Sequence, residues 1–517
     1  VSKPKLAVFF GAGAEIGYGL PSGGRFALDI FRLSPEEDRN RFRKQIERID
    51  PTSPYAAKWL PGGYRNKRLH VFGKGEFEGL ITSSLENRKD SILHYFDRFD
   101  ANVACILRTF RVSEPVLKQT YAATTGHEFG TVSYRQVIKL NQRLADRVSL
   151  FDSDYFSAFL KALEHAPQDR GLRRMIRALL ELLIGAFGQN LVSRLNEELF
   201  EQAPDTLSVF DDLSGIFSLD YRSAGLTGVE IVLEEQPLPL TESSSLATLF
   251  TELGRAVLED VFASALDYQA LIDSHFRYLY NPKAHWAKFT RIAIFLHTVR
   301  RYILSQAQVD LDKLFDGPGF YHDLLEADDC FELRSVGTVN YNNFVGQVLE
   351  RSFLKRTPVF HLNGSVGEFY DPYGNRILQD HDGGEPPEQL RRILVPFLFT
   401  QSGIKPLTSV SMSRRYVELY DTFREADVIC SIGYGFNGDD GHINGLLRAL
   451  VEEEDKRLVI FAYGCTDPLW ARREYQAKLR LASARNLTVA PLDDERRSGG
   501  LAWYRQLAES LSGLRIV

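Results

Sequence analysis

Lys5-Leu-Ala-Val-Phe-Phe10 is an unbroken apolar run, and it predicts a parallel strand buried on both faces. A glycine-rich turn follows, and Ser22 stands where it would cap a helix over Arg25 to Phe31. Residues 34 to 90 are charged and aromatic with several turn signals, which predicts helices and loops over that first strand. From about Asp90 to Asp329 a helical period takes over. It is clearest at Tyr155 to Glu164, Leu172 to Phe187, Leu246 to Leu271 and Trp286 to Leu304. Pro204 to Thr241 breaks it and contains one strand-like piece, Val229 to Leu233. After Asp329 strand and helix patterns alternate. Strands are predicted at Leu333 to Val339, Val359 to Leu362, Val428 to Gly433, Leu458 to Tyr463 and Leu487 to Ala490. Helices are predicted at Ser413 to Arg424, Ile443 to Glu453 and Leu469 to Ala484.

This alternation predicts an α/β fold with a Rossmann-like doubly wound parallel sheet. Its first strand lies at one end of the chain and the others at the far end. The expected organisation is therefore residues 1–89 as the first part of the α/β domain, 90–329 as a large, mainly α-helical insertion packed as a bundle, and 330–517 as the second part.

Composition narrows the function classes. The chain of 517 residues exceeds what one compact core organises. A net charge of −6 gives no basic footprint, so direct nucleic-acid binding is not expected. Phe276 to Tyr280 and Arg300-Arg301-Tyr302 mix basic and aromatic residues, which in an acidic chain reads as helix packing with snorkelling arginines. No long apolar segment predicts a membrane span, and with a strand predicted almost at once no signal peptide is expected. The four cysteines form no Cys-x-x-Cys pair and no cluster with zinc spacing. They read as reduced, mostly buried thiols, and the expectation is a cytoplasmic protein.

Several segments could carry chemistry. Gly11-Ala12-Gly13-Ala14-Glu15, after a strand, offers the close backbone approach and helix start that bind a pyrophosphate. Its spacing, Gly11-x-Gly13-x-x-x-Gly17, is not the dehydrogenase Gly-x-Gly-x-x-Gly, and a tight turn without ligand explains the glycines equally well. Asn340 stands where an apolar stretch leaves the sheet, able to meet a ribose hydroxyl or hold a water, or simply to end a strand. His361, at the end of another strand, suits a general base near neutral pH or a structural histidine. Gly433-Tyr434-Gly435-Phe436-Asn437 is a second glycine turn leading to Asp439 and Asp440. A carboxylate there could take ribose hydroxyls, or the pair a metal, although adjacent acids more often form a solvated turn.

Taken together in this order, the pieces resemble the sirtuin-like superfamily. Gly11-Ala12-Gly13-Ala14 with Gly19-Leu20-Pro21-Ser22 is similar to its first NAD loop. Thr338-Val339-Asn340-Tyr341-Asn342 resembles its Thr-x-Asn-x-Asp motif, and His361 with Gly364 its catalytic histidine segment. Gly433 to Phe436, through His442-Ile443-Asn444, looks like the late turn of the bacterial antiphage branch. The likeness covers roughly the first thirty residues and the last 190.

The resemblance implies NAD as the substrate, hydrolysed to nicotinamide and ADP-ribose, with Asn340 and His361 catalytic. Gly11, Ala12, Gly13, Glu15 and Pro21 would hold the cofactor at the first loop, Thr338 and Asn342 beside Asn340. Gly433, Tyr434, Gly435 and Asp439 would hold the adenosine side. It also implies a gated antiphage effector that depletes NAD. The expected assembly is a homo-oligomer, and a partner is implied, such as a DNA-translocating ATPase or a phage-derived trigger. Departures are informative. Glu15 stands where many members have serine, Asn342 replaces the usual aspartate, and the zinc ribbon is missing, so no zinc is expected. Two other readings stay open, an NAD-dependent protein deacylase and a non-catalytic sensor of NAD or ADP-ribose. No residue reads the 2′ position that separates NAD from NADP.

Overall fold

A computed structural model describes residues 3–21, 23–108, 110, 112–132, 153–198, 207–209, 217–219, 225–234, 238, 240–241, 243–266, 275–306, 309–379, 391–398, 409–465 and 467–512. The chain divides into two compact units. One comprises residues 1–22, 34–72 and 271–517, the other 23–33 and 73–270.

The first unit is α/β, built on a six-stranded parallel sheet. Its strands in chain order are β1 (Lys5–Phe10), β2 (Glu332–Thr338), β3 (Val359–His361), β4 (Val428–Ile432), β5 (Arg457–Tyr463) and β6 (Leu487–Leu492). Their order across the sheet is β6-β5-β4-β1-β2-β3. The N-terminal strand is thus central, and the order reverses between β1 and β4. Burial explains why this run is continuously apolar. Leu6, Val8 and Phe10 enter one core with Phe320, Tyr321, Val336 and Trp503, while Ala7 and Phe9 enter the opposite one with Leu419, Ile429 and Leu458. A fully buried side chain of this kind contributes about 1.5–3 kcal/mol, so β1 anchors both layers.

Register fixes the working edge. Phe10 pairs with both Thr338 and Ile432, and Thr338 pairs with His361. The carboxyl ends of β3, β2, β1 and β4 therefore stand in one row. The same unit holds an antiparallel sheet of Gly364–Asp371, Arg376–Gln379 and Val395–Leu398, for which the sequence pattern gave no signal.

The second unit is mainly helical. Leu246–Ala265 runs through it, buried along most of its length and capped by Ser245, whose hydroxyl accepts from Thr248 N. Gly24 lies so close to this helix that an added Cβ would meet the Ala263 carbonyl at 1.7 Å.

These boundaries differ from the expected partition. Gly23–Arg32 and Lys74–Asn87 join the helical unit, whereas Trp286–Arg301 and Phe320–Ala327 join the sheet unit. A helical period reports an apolar face but not which core receives it. Val229 to Leu233 lies in a helix, Leu226–Glu234, rather than a strand; packing in a helical unit outweighs its β-branched composition. Residues 267–271 of the predicted Leu246 to Leu271 helix lie outside the described residues, and so does Ser22. Of the cysteines only Cys430 is buried; Cys105 is exposed, and Cys330 and Cys465 are half-buried. Arg300 and Arg301 are anchored rather than snorkelling, donating to Val366 O at 2.7 Å and Asp38 Oδ2 at 2.9 Å. No helix among the described residues is long and apolar enough to cross a membrane.

Candidate active site

The two glycine turns meet backbone to backbone at the point where strand order reverses. Gly11 N donates to Ile432 O at 3.0 Å and Gly13 N to Gly433 O at 2.9 Å. A Cβ on Gly11 would sit 2.5 Å from Gly433 O, and one on Gly433 would sit 2.1 Å from Ala14 N. Gly433 also has a φ of 69°, open to glycine at little cost. The glycines are therefore required by this contact.

The first turn does not lead straight into an α-helix. It continues as two 3-10 turns, Ala12–Ala14 and Ile16–Tyr18. Ala14 N and Glu15 N are bonded to Gly11 O and Ala12 O. The expected fan of unpaired N–H groups is thus largely consumed by the chain itself. Ala12 is exposed, and its N–H makes no hydrogen bond among the described residues. Pro21 is half-buried near the end of the loop.

Beyond β2, the motif 338–342 is bound into the site. Thr338 Oγ1 accepts from Asn340 N at 3.0 Å, which tightens the turn. Asn340 Nδ2 donates to Gly11 O at 3.2 Å and to the Tyr321 hydroxyl at 3.4 Å. A carbonyl can only accept, so this fixes the amide orientation and leaves Asn340 Oδ1 as the end for an incoming donor. Asn342 Oδ1 accepts from Phe344 N at 3.2 Å, so its Nδ2 faces Glu15 Oε2 at 2.5 Å. Tyr321 donates to Glu15 Oε1, also at 2.5 Å. Glu15 is only 5% exposed, and burial pushes its pKa from 4.5 up to about 7 despite the hydrogen bonds from Tyr321, Asn342 and Asn340. Both oxygens of Glu15 and both ends of the Asn342 amide are thus engaged within the chain itself.

His361 is tied to the same turn. Its Nδ1 lies 3.0 Å from Asn340 O, which requires the proton on Nδ1. Nε2 then keeps its lone pair and lies 3.3 Å from Asn343 Oδ1, an acceptor it can bond only after the Asn343 amide turns its Nδ2 inward. Desolvation holds this imidazole below its ordinary pKa, so it is neutral at pH 7. Arg415 steadies the backbone, donating to His361 O at 2.6 Å while pairing with Glu368 at 2.5 Å. A cavity of about 770 Å³ opens on His361, lined among others by Asn343, Ser365, Glu368, Arg414 and Arg415.

The late turn has a buried and an open part. Tyr434 is 5% exposed and packs edge-on against Phe9 at 5.0 Å, with its hydroxyl donating to Asn444 Oδ1 at 3.1 Å. Any contact it offers a ligand is therefore through its backbone. Gly435 is exposed. Asp439 lies in the 3-10 turn Gly438–Asp440, and its side chain falls outside what is described. Asp440 is buried beside the Tyr434 hydroxyl. Among the described residues, no group of three or more His, Cys, Asp or Glu is placed to hold a metal ion.

No protein-family model and no curated protein matches this chain. The site thus rests on its own geometry. One row brings together Gly11, Ala12, Gly13, Thr338, Asn340, Asn342, His361 and Gly433, residues separated by more than three hundred positions. Sequence reasoning missed Tyr321, Asn343 and Arg415. Asn343 adjoins a motif already in view, but Tyr321 lies in a stretch read as insertion and Arg415 on a helix read only for its periodicity.

Proposed function

We propose that the chain is an NAD glycohydrolase, and that its sheet is a Rossmann-like doubly wound sheet interrupted by the helical unit. The carrying observation is the reversal of strand order between β1 and β4, where the Gly11 and Gly433 turns meet beside Asn340 and His361. In open parallel sheets such a reversal opens the crevice that takes dinucleotides.

In this reading the Ala12 N–H and the exposed Gly435 backbone approach the pyrophosphate and adenosine side. Asn340 Oδ1 accepts from a ribose hydroxyl or the attacking water. His361 Nε2, lone pair available at neutral pH, takes the proton as water adds to the anomeric carbon. The bond from that carbon to nicotinamide nitrogen breaks through an oxocarbenium-like state, the electron pair leaves with nicotinamide, and ADP-ribose is released. Such an enzyme drains its cell of NAD, so the reading includes gating. A homo-oligomer and an antiphage trigger or partner are part of the proposal.

A second reading, NAD-dependent deacylation, is favoured by one feature, the cavity of about 770 Å³ that opens on His361 and has room for another substrate. Incubation with NAD, with and without an acyl-peptide, separates the readings. Nicotinamide and ADP-ribose without peptide support hydrolysis, nicotinamide only with peptide supports deacylation, and NAD that binds unchanged supports a sensor.

A further inference from the structure

Behind the Asn340 amide lies a chain of buried polar side chains. Tyr321 comes from the helix Phe320–Ala327, Glu15 from the first loop and Asn342 from the turn after β2. Their bonds run in one direction: Asn340 Nδ2 to the Tyr321 oxygen, Tyr321 O–H to Glu15 Oε1, and Asn342 Nδ2 to Glu15 Oε2.

We propose that Glu15 and Tyr321 are positioning residues that set which end of the Asn340 amide faces the substrate. The identity of that substrate rests on the glycohydrolase reading; the network itself does not.

The argument is one of donors and acceptors. With Glu15 ionised, both its oxygens accept, and the Tyr321 oxygen keeps a lone pair for Asn340 Nδ2. That nitrogen also holds Gly11 O, so both amide hydrogens are occupied and Oδ1 faces outward. With Glu15 protonated, Oε2 still accepts from Asn342 while Oε1 becomes a donor to Tyr321. The Tyr321 hydrogen then needs an acceptor, and in this network only Asn340 Oδ1 supplies one, after the amide turns over. Turning over brings Oδ1 against the Gly11 carbonyl. The protonated state therefore loses one of the two bonds that orient the amide.

Other groups around the network hold their state. Tyr18 stacks on Tyr321 at 5.2 Å, its hydroxyl accepts from Tyr321 N at 2.9 Å, and burial raises both phenols well above neutrality. Asp323, on the Tyr321 helix, is paired with Arg496 at 2.8 Å. His361, reached through Asn340 O, is held below its ordinary value. Of these groups Glu15 is the one that burial brings to about 7.

Two nearly isosteric variants test this. Tyr321→Phe removes the hydroxyl link. Glu15→Gln places an amide donor toward Tyr321 and an acceptor toward Asn342, mimicking the protonated acid. The first readout is the side-chain amide signal of Asn340 in protein labelled with 15N-asparagine, assigned by its loss in Asn340→Asp. In the parent it shifts with pH through a midpoint near 7, and in both variants that transition is gone. The second readout is turnover. Parent kcat rises through the same midpoint, and the limb is absent in Tyr321→Phe, whose kcat falls about tenfold, one hydrogen bond's worth, with KM within about twofold. Glu15→Gln keeps the acid-side rate at every pH. An Asn340 signal that titrates unchanged in both variants overturns the positioning role even if NAD is hydrolysed. A signal that behaves as described with no NAD cleavage sustains the network and removes the glycohydrolase reading instead.

Discussion

Two buried glutamates, one in each unit, show how differently a fold can treat the same charge. Glu259 in the helical unit is 6% exposed and meets two guanidinium groups, Arg25 and Arg32, the latter at 2.5 Å. Glu15 in the sheet unit is 5% exposed and meets only neutral donors, a phenol and two amides. Glu259 pairs with both guanidinium groups and so ties the helix Gly23–Arg32 to Leu246–Ala265. Without such partners, Glu15 lies at the edge of ionisation at pH 7. Structural ion pairs are closed sets of charges. A buried acid with neutral partners beside a crevice has the character of a functional group.

Breaking the chemistry of the sheet unit has the largest expected effect. His361→Ala removes the proposed base and should lower NAD turnover by about 10²–10⁴-fold. Circular dichroism should show the fold retained, since His361 is partly buried at an edge strand. Gly433→Ala comes next. The added methyl meets Ala14 N at 2.1 Å in a left-handed backbone, for a cost of about 3 kcal/mol in denaturant unfolding. Turnover should fall with it, because the two turns can no longer close.

The third test compares the glutamates through pH. The Glu15 pKa is raised in the folded state, so from about pH 4.5 to 7 the unfolded chain releases a proton that the folded chain keeps. Stability should decline as pH rises through that window, by about 3 kcal/mol, and level off above it. Glu15→Gln should flatten that decline, as read from unfolding midpoints between pH 4 and 8. The smallest effect is in the helical unit. Glu259→Ala removes one carboxylate from two arginines that keep Asp29 as a partner, and Arg25 has 42% of its side chain in water, so a loss of about 2 kcal/mol is expected. Turnover per folded molecule should not change. A Glu259 variant that alters the pH profile of turnover would erase the contrast between the two acids.

The sheet was legible because buried parallel strands write themselves as apolar runs: Lys5–Phe10 falls where its pattern placed it, and the later strands are shifted by only a residue or two. Asn340, His361 and the glycines were legible because each follows such a run. The partners that orient them were not. Tyr321 reaches Glu15 across 306 positions, and nothing in the spacing around either residue encodes that contact. The glycines were visible, but their use was not. Their N–H groups knit one turn onto the other. Helix allocation also failed to show in the sequence, because Trp286–Arg301 and Leu246–Ala265 have the same kind of apolar period and belong to different units.

The most direct test of the central claim is chromatography of the products after purified protein meets NAD, with Asn340→Ala and His361→Ala beside the parent. The account predicts nicotinamide and ADP-ribose in equal amounts from the parent and almost none from either variant. Parent protein that binds NAD and returns it intact, or variants that cleave it at the parental rate, would contradict it.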